Sequence, residues 1–242
     1  MIARTADRTL QIFEAYAERR EPLTLSELAR LLDMPVSSCS KLIRTLQARG
    51  YLYEVGRRKA WYPTHRWLAK ASAIAAADPV AEHVRPWLLR LRDQVGETVL
   101  LGKRLGDQVI YLTMAEGNQR IRAAGQVGDL RTLYSTASGK ALLAQLPLAE
   151  RLALLGRLLP AELAGPEPRR ALLAEIEAGR QRGWWTTDPD NPEGVMSIAA
   201  LLPLGGELCT LVLVGPISRV WSQREAHAAA LLEICAAAAQ AY

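Results

Sequence analysis

The signatures of local metal and catalytic chemistry are missing from this chain. Its three cysteines, Cys39, Cys209 and Cys235, are odd in number, far apart and in no metal-ligand spacing. Its three histidines, His65, His83 and His227, are scattered and have no HExxH or Cys partner, so neither a metal site nor a His-dependent triad has support. No GxSxG elbow occurs. Gly139-Lys140 is not a phosphate loop, because Tyr134 stands where the loop needs its first glycine and Ala141 where Ser or Thr must follow the lysine. No apolar run approaches the roughly 20 residues that span a bilayer, and the opening MIARTADRTLQIF lacks a long apolar leader region. These absences point away from an enzyme, a cofactor carrier and a membrane protein, and toward reduced thiols in a cytoplasmic one.

What is present is an ordinary globular composition of 242 residues, 50% hydrophobic and 23% charged, enough for one large or two medium domains. The net charge of +5 is unevenly placed: residues 1–66 hold twelve Lys and Arg against seven Asp and Glu, and residues 67–242 hold eighteen of each. A basic small domain beside a neutral larger one suits a first part that meets a polyanion, although a chance imbalance on a solvated surface gives the same count.

Residues 8–19 place Leu10, Ile12, Phe13, Tyr16 and Ala17 at helical spacing, a packing helix. Thr24 with Glu27 three positions on is a capping box that starts a second helix. After the turn Asp33-Met34-Pro35 a third helix buries Cys39, Leu42, Ile43 and Leu46 and leaves Ser37, Ser38, Ser40, Lys41 and Arg44 on the other side. Short hydroxyls at the leading edge, followed by long cationic donors, are what a helix entering the major groove requires. The alternative is a solvated face of a three-helix packing module. Tyr51–Val55 and Ala60–Tyr62 are strand-like around a tip of Gly56, Arg57, Arg58 and Lys59, and three consecutive cations there suit a phosphate backbone. The first 64 residues therefore predict a winged helix-turn-helix that binds double-stranded DNA.

Residues 65–78 are expected to be a linker helix with a small-residue apolar surface, which suits contact between subunits nearly as well as an internal one. In residues 79–242 a packing helix precedes three strand-like segments, ETVLLGK, DQVIYLTM and QRIRAA. A helix then starts near Thr136 or Ser138 and stops at Pro147, two helical stretches follow, then the strands WWTTD, GVMSIAALLP and ELCTLVLV, and an alanine-rich helix closes the chain. The pattern predicts an α+β domain with a mainly antiparallel sheet and helices on its faces. Trp184-Trp185 reads as core or interface more readily than as a ligand platform.

The phrases RTLQIFEA, LIRTLQARGYL, GETVLLGK, DQVIYL, STASGKALLAQLP, GVMSIAALLP and LVLVGPISR, in this order, resemble the isocitrate lyase regulator (IclR) family of bacterial transcription factors. The resemblance covers nearly the whole chain. It implies a winged helix-turn-helix, a linker helix and a GAF-like effector domain, assembled as homodimers or homotetramers on palindromic operators, with no cofactor. It also implies an effector site at Leu133, Ala137 and Ser138, with Thr187, Asp188, Val195, Ser197, Val212 and Val214 on the neighbouring strands. A helix start with free N–H groups can hold a carboxylate, although Thr136 or Ser138 can equally cap its own helix. The chain departs from the family pattern in having Thr187 where an aspartate is usual, and Val212 and Val214 where two serines are. Two isopropyl groups in place of two hydroxyls favour an aromatic or otherwise apolar carboxylate over a small keto acid. An effector-free architectural DNA-binding protein, and a small-molecule enzyme with a DNA-binding appendage, are the competing expectations.

Overall fold

The computed structural model describes residues 3–56, 58–123, 125–187 and 194–242. It divides into two compact units, 1–78 and 79–242.

The first unit runs α1 (Arg4–Arg19), β1 (Leu23–Thr24), α2 (Leu25–Leu31), α3 (Val36–Ala48), β2 (Leu52–Val55), β3 (Ala60–Pro63) and α4 (Arg66–Ala76). The three strands form an antiparallel sheet in the order β1-β3-β2, so the two-residue β1, which has no periodic signal of its own, widens the wing. At Thr24 the capping box is complete: its hydroxyl accepts from Glu27 N–H and its own N–H donates to the Glu27 carboxylate at 2.8 Å. Asp33 takes φ 44°, the left-handed turn between α2 and α3. Ile12, Tyr16, Leu28, Cys39, Ile43, Leu46 and Leu52 make the core, and fully burying each large aliphatic side chain contributes about 1.5–3 kcal/mol. The buried stripe of α1 is Ile12, Ala15 and Tyr16. Leu10 is 59% exposed and Ala17 also faces solvent, a rotation of the expected stripe toward the α2–α3 core. Trp67 of α4 packs on Phe13 and Tyr51 at ring-centroid distances of 3.8 and 4.6 Å, while Leu68 and Ile74 stay exposed.

In the second unit α5 (Pro79–Val95) precedes β4 (Thr98–Leu105), β5 (Gln108–Ala115) and β6 (Leu130–Thr132). Next come α6 (Ala137–Ala144), α7 (Leu148–Leu158) and α8 (Pro166–Arg182). The chain then returns to β7 (Trp184–Thr186), β8 (Val195–Leu204) and β9 (Glu207–Pro216), and ends in α9 (Ile217–Ser222) and α10 (Arg224–Ala241). All neighbouring strands pair antiparallel in the order β6-β5-β4-β9-β8-β7. Gly205 and Gly206, both at positive φ, make the tight turn between β8 and β9.

Side chains alternate across this sheet and build two cores. Val99, Leu101, Ile198, Ala200, Leu211 and Leu213 pack with α5 and α10. Leu100, Val109, Tyr111, Ala199 and Val212 pack with α6, α7 and α8. The third strand of the meander is Leu130–Thr132, and the expected QRIRAA strand does not form over its described residues 119–123. Ile121, its apolar centre, is 74% exposed, and its carbonyl accepts from Arg219. All three cysteines are free and buried; burial pushes the thiols of Cys39 and Cys209 up and that of Cys235 to about 12. Among the described residues no helix is long and apolar enough to cross a membrane, and no group of His, Cys, Asp and Glu could hold a metal ion.

Candidate functional site

In the first unit α3 divides as an amphipathic helix must. Cys39, Ile43 and Leu46 anchor it, and Ser37, Ser38, Lys41 and Arg44 are exposed. At 100° per residue Ser37, Lys41 and Arg44 fall opposite the buried side. Ser40 is half-buried and flanks that face rather than centring it. The approach to α3 is fixed by a residue that periodicity does not single out. Arg8 of α1 donates to the carbonyls of Leu32 and Asp33, satisfying the end of α2 and pinning the turn. In the wing, Arg58 and Lys59 are exposed beyond β2, with Lys59 at φ 51°. Arg57 lies outside the described residues.

Of the expected ligand residues of the second unit, Val195, Ser197, Val212 and Val214 alternate onto one face of the sheet, the face under α6. Thr136 caps α6, its hydroxyl accepting from Gly139 N–H at 3.0 Å. A Cβ on Gly139 would lie 2.2 Å from the Leu133 carbonyl oxygen, so only glycine lets the Leu133 turn press on the first turn of the helix. Leu133 and Ala137 are thereby fully buried in one apolar cluster with Leu100, Tyr111, Ala199 and Val212, and Val214 packs at its border. Ser197 pairs with Val214 and Val195 with Pro216 across β8 and β9. Thr187 closes the rung beside Ser197: its N–H donates to the Ser197 carbonyl at 3.1 Å, and its hydroxyl accepts from Ser197 N–H at 2.9 Å. Asp188 lies outside the described residues.

Ser138 stands apart from this group. Its hydroxyl is 3.4 Å from where a Cβ on Gly102 would sit, beside the Gly102–Thr210 rung. Val214 lies four positions along β9 from Thr210 of that rung, about 13 Å at the rise of an extended strand. The Ser138 hydroxyl is fully buried and makes no hydrogen bond of normal geometry, although the Tyr111 phenol approaches it. Burial pushes that phenol's pKa up, and the Ser138 hydroxyl and Arg131 partly offset the rise. The face thus has a polar end at Ser138 and Tyr111, an apolar middle at Val212 and Leu100, and a second polar end at Thr187 and Ser197.

Thr98, which the sequence did not single out, and Lys140, noticed there only in a rejected phosphate loop, belong to this neighbourhood. Thr98, which pairs with Val214, is fully buried; its hydroxyl donates to the Ala123 carbonyl at 3.0 Å and accepts from Gly117 N–H at 3.1 Å. Lys140 is 3% exposed, and its Nζ donates to Glu175 of α8 at 2.6 Å and to the Thr186 carbonyl at 2.9 Å. The available signal was a lysine inside ASGKALLA, a helix of which every residue is buried. At the other end of α6 the buried Arg151 donates to the carbonyls of Leu143, Ala144 and Leu146 at 2.8, 2.8 and 3.1 Å.

Two families match this chain: "IclR helix-turn-helix domain" over residues 5–56 and "Bacterial transcriptional regulator IclR C-terminal" over residues 72–241. The HTH-type transcriptional regulator BhcR of Paracoccus denitrificans is 33% identical over 91% of this chain and 80% of its own. The crystal structure of the Thermotoga maritima IclR shares the fold at TM-score 0.73 and 23% identity, covering 98% of both chains. An IclR homolog from Microbacterium hydrocarbonoxydans, complexed with 4-hydroxybenzoate, superposes at TM-score 0.77 and 18% identity over 98% of this chain and 100% of that one.

Proposed function

Because the chain belongs to the IclR family of bacterial transcriptional regulators, we propose that it is a cytoplasmic, homo-oligomeric regulator whose occupancy of palindromic DNA is set by an aromatic carboxylate. DNA binding itself follows from the helix-turn-helix. On this reading Ser37, Ser38, Lys41 and Arg44 enter the major groove with Ser40 at their flank, and Arg57, Arg58 and Lys59 follow the phosphate backbone. The ligand lies over the α6 face of the sheet, against Leu133, Ala137, Val195, Ser197, Val212 and Val214, with Ser138, Thr187 and Asp188 as polar partners.

The observation that carries the ligand class is the pairing of Val212 with Leu100 on the α6 face of the sheet, with Val214 paired with Thr98 two positions further along β9. An apolar floor between two polar ends suits a ring that bears a carboxylate, because unmatched hydroxyls would be costly and matched apolar area is favourable. The 4-hydroxybenzoate carried by the Microbacterium homolog belongs to that class.

Fluorescence anisotropy on the duplex upstream of the coding sequence tests both halves. Titrated benzoates should shift the DNA affinity, and glyoxylate and pyruvate should not. Lys41→Ala with Arg44→Ala should abolish specific binding. Unchanged affinity in that double variant defeats the assignment of the reading helix, and preferential response to glyoxylate defeats the ligand class.

A further inference from the structure

Lys140 is placed against the usual electrostatic preference of a helix. It is the fourth residue of α6, near the end where backbone N–H groups already make the potential positive, and the first turn of α6 holds no acidic residue. Among the described residues its ion-pair partner is Glu175, and the pair is arranged asymmetrically: the lysine side chain is 4% exposed and the glutamate 36%. Water screens the outer carboxylate more than the inner ammonium, so the residual potential on the protein side is positive. Two of the three ammonium donors are used, by Glu175 and by the Thr186 carbonyl, and the third has no acceptor among the described residues. The Thr186 carbonyl belongs to the residue directly before Thr187, which is bonded in both directions to Ser197.

A buried cation, a helix start of the same sign and one partly solvated counter-ion among the described residues favour a further negative charge nearby. We propose that Lys140 is a positioning residue that makes the effector site select an anion. It fixes the end of β7 from beneath α8 and supplies the positive potential that a carboxylate near Thr187 and Ser197 experiences. The inference rests on the effector site proposed above. It assigns Lys140 no contact with the ligand.

The test is calorimetric titration of the full chain with 4-hydroxybenzoate and 4-hydroxybenzamide, equal in shape and differing in charge. The wild-type chain should prefer the acid. Lys140→Met should weaken the acid by about tenfold, the scale of one charge acting at several ångströms through partly screened protein, and leave the amide unchanged. Lys140→Arg should restore the acid preference. Glu175→Gln keeps an acceptor for the lysine but removes the opposing charge, so it should tighten the acid; a purely mechanical bridge predicts no tightening. Equal weakening of acid and amide in Lys140→Met, or no change in either, overturns the role of Lys140 while leaving the site in place. So does equal affinity of the wild-type chain for acid and amide. A wild-type chain that binds neither probe overturns the site for benzoates and this inference with it.

Discussion

Glu97 and Arg219 form a paired hydrogen bond, Nε to one carboxylate oxygen at 2.6 Å and a terminal nitrogen to the other at 2.9 Å, around a glutamate side chain only 2% exposed. The same guanidinium donates to the Ile121 carbonyl at 2.7 Å. One side chain of α9 therefore ties the start of β4 to the loop between β5 and β6, the loop that Thr98 holds from the opposite face of the sheet. Breaking a buried pair from one side costs about 3–5 kcal/mol, and Arg219 is 33% exposed, so Arg219→Met is expected at the lower end of that range. Urea denaturation of the C-terminal unit within the full chain measures it, and a loss below about 1 kcal/mol, the level of an exposed pair, contradicts the account.

Arg151 closes α6 from its C-terminal end by satisfying three carbonyls in a buried position. Each acceptor left buried without a partner costs about 1–3 kcal/mol, and the guanidinium is on the side that the helix dipole favours. Arg151→Met should lower the thermal midpoint of the C-terminal unit by several degrees and loosen α6, read as faster amide exchange at Gln145 and Leu146. Unaltered exchange there means that the cap is supplied by something else.

His227 predicts a pH dependence. Burial pulls its imidazole below the usual 6.5, and the Glu97 carboxylate partly offsets the pull. The unfolded chain therefore takes up this proton before the folded one does, and stability falls as the pH is lowered through 6.5 toward the depressed folded value. Thermal midpoints at pH 7.5 and 5.5 should differ more for the wild-type chain than for His227→Gln. Identical differences remove His227 from the explanation.

For the wing, replacing Arg57, Arg58 and Lys59 together by alanine should reduce the slope of log affinity against log salt by about 0.9 for each phosphate that is no longer neutralised. It should leave the ranking of DNA sequences intact, because backbone contacts position without specifying. A changed sequence ranking with an unchanged slope would assign the tip to base readout.

The elements with their own periodicity, cap or composition were legible from the residues alone: the capping box at Thr24, the buried line of α3 through Cys39, Ile43 and Leu46, and the apolar strand runs of β8 and β9. What escaped was decided by partners distant in sequence. Leu130–Thr132 becomes a strand because β5 offers it an edge, whereas QRIRAA, with a better local pattern, meets Glu116 and Arg219 instead. The same limit applies at the ligand face. Val212, Val214 and Ser197 could be placed on strands from the sequence, but the distance of Ser138 from them depends on which rung α6 crosses. Lys140 was noticed only as half of a failed phosphate motif, since burial and the 2.6 Å bond to Glu175 are properties of the folded neighbourhood.

Reagents that report on conformational change benefit from the state of the cysteines. All three thiols are buried and held protonated at neutral pH by pKa values above the usual range, and it is the thiolate that alkylates. The folded chain should be silent toward maleimides, so one cysteine introduced at an exposed position such as Ala48, on the side of α3 opposite its buried line, would carry a fluorophore or spin label with no cysteine-free background needed. Under the function proposed above, such a label would read DNA engagement and ligand response in the same sample.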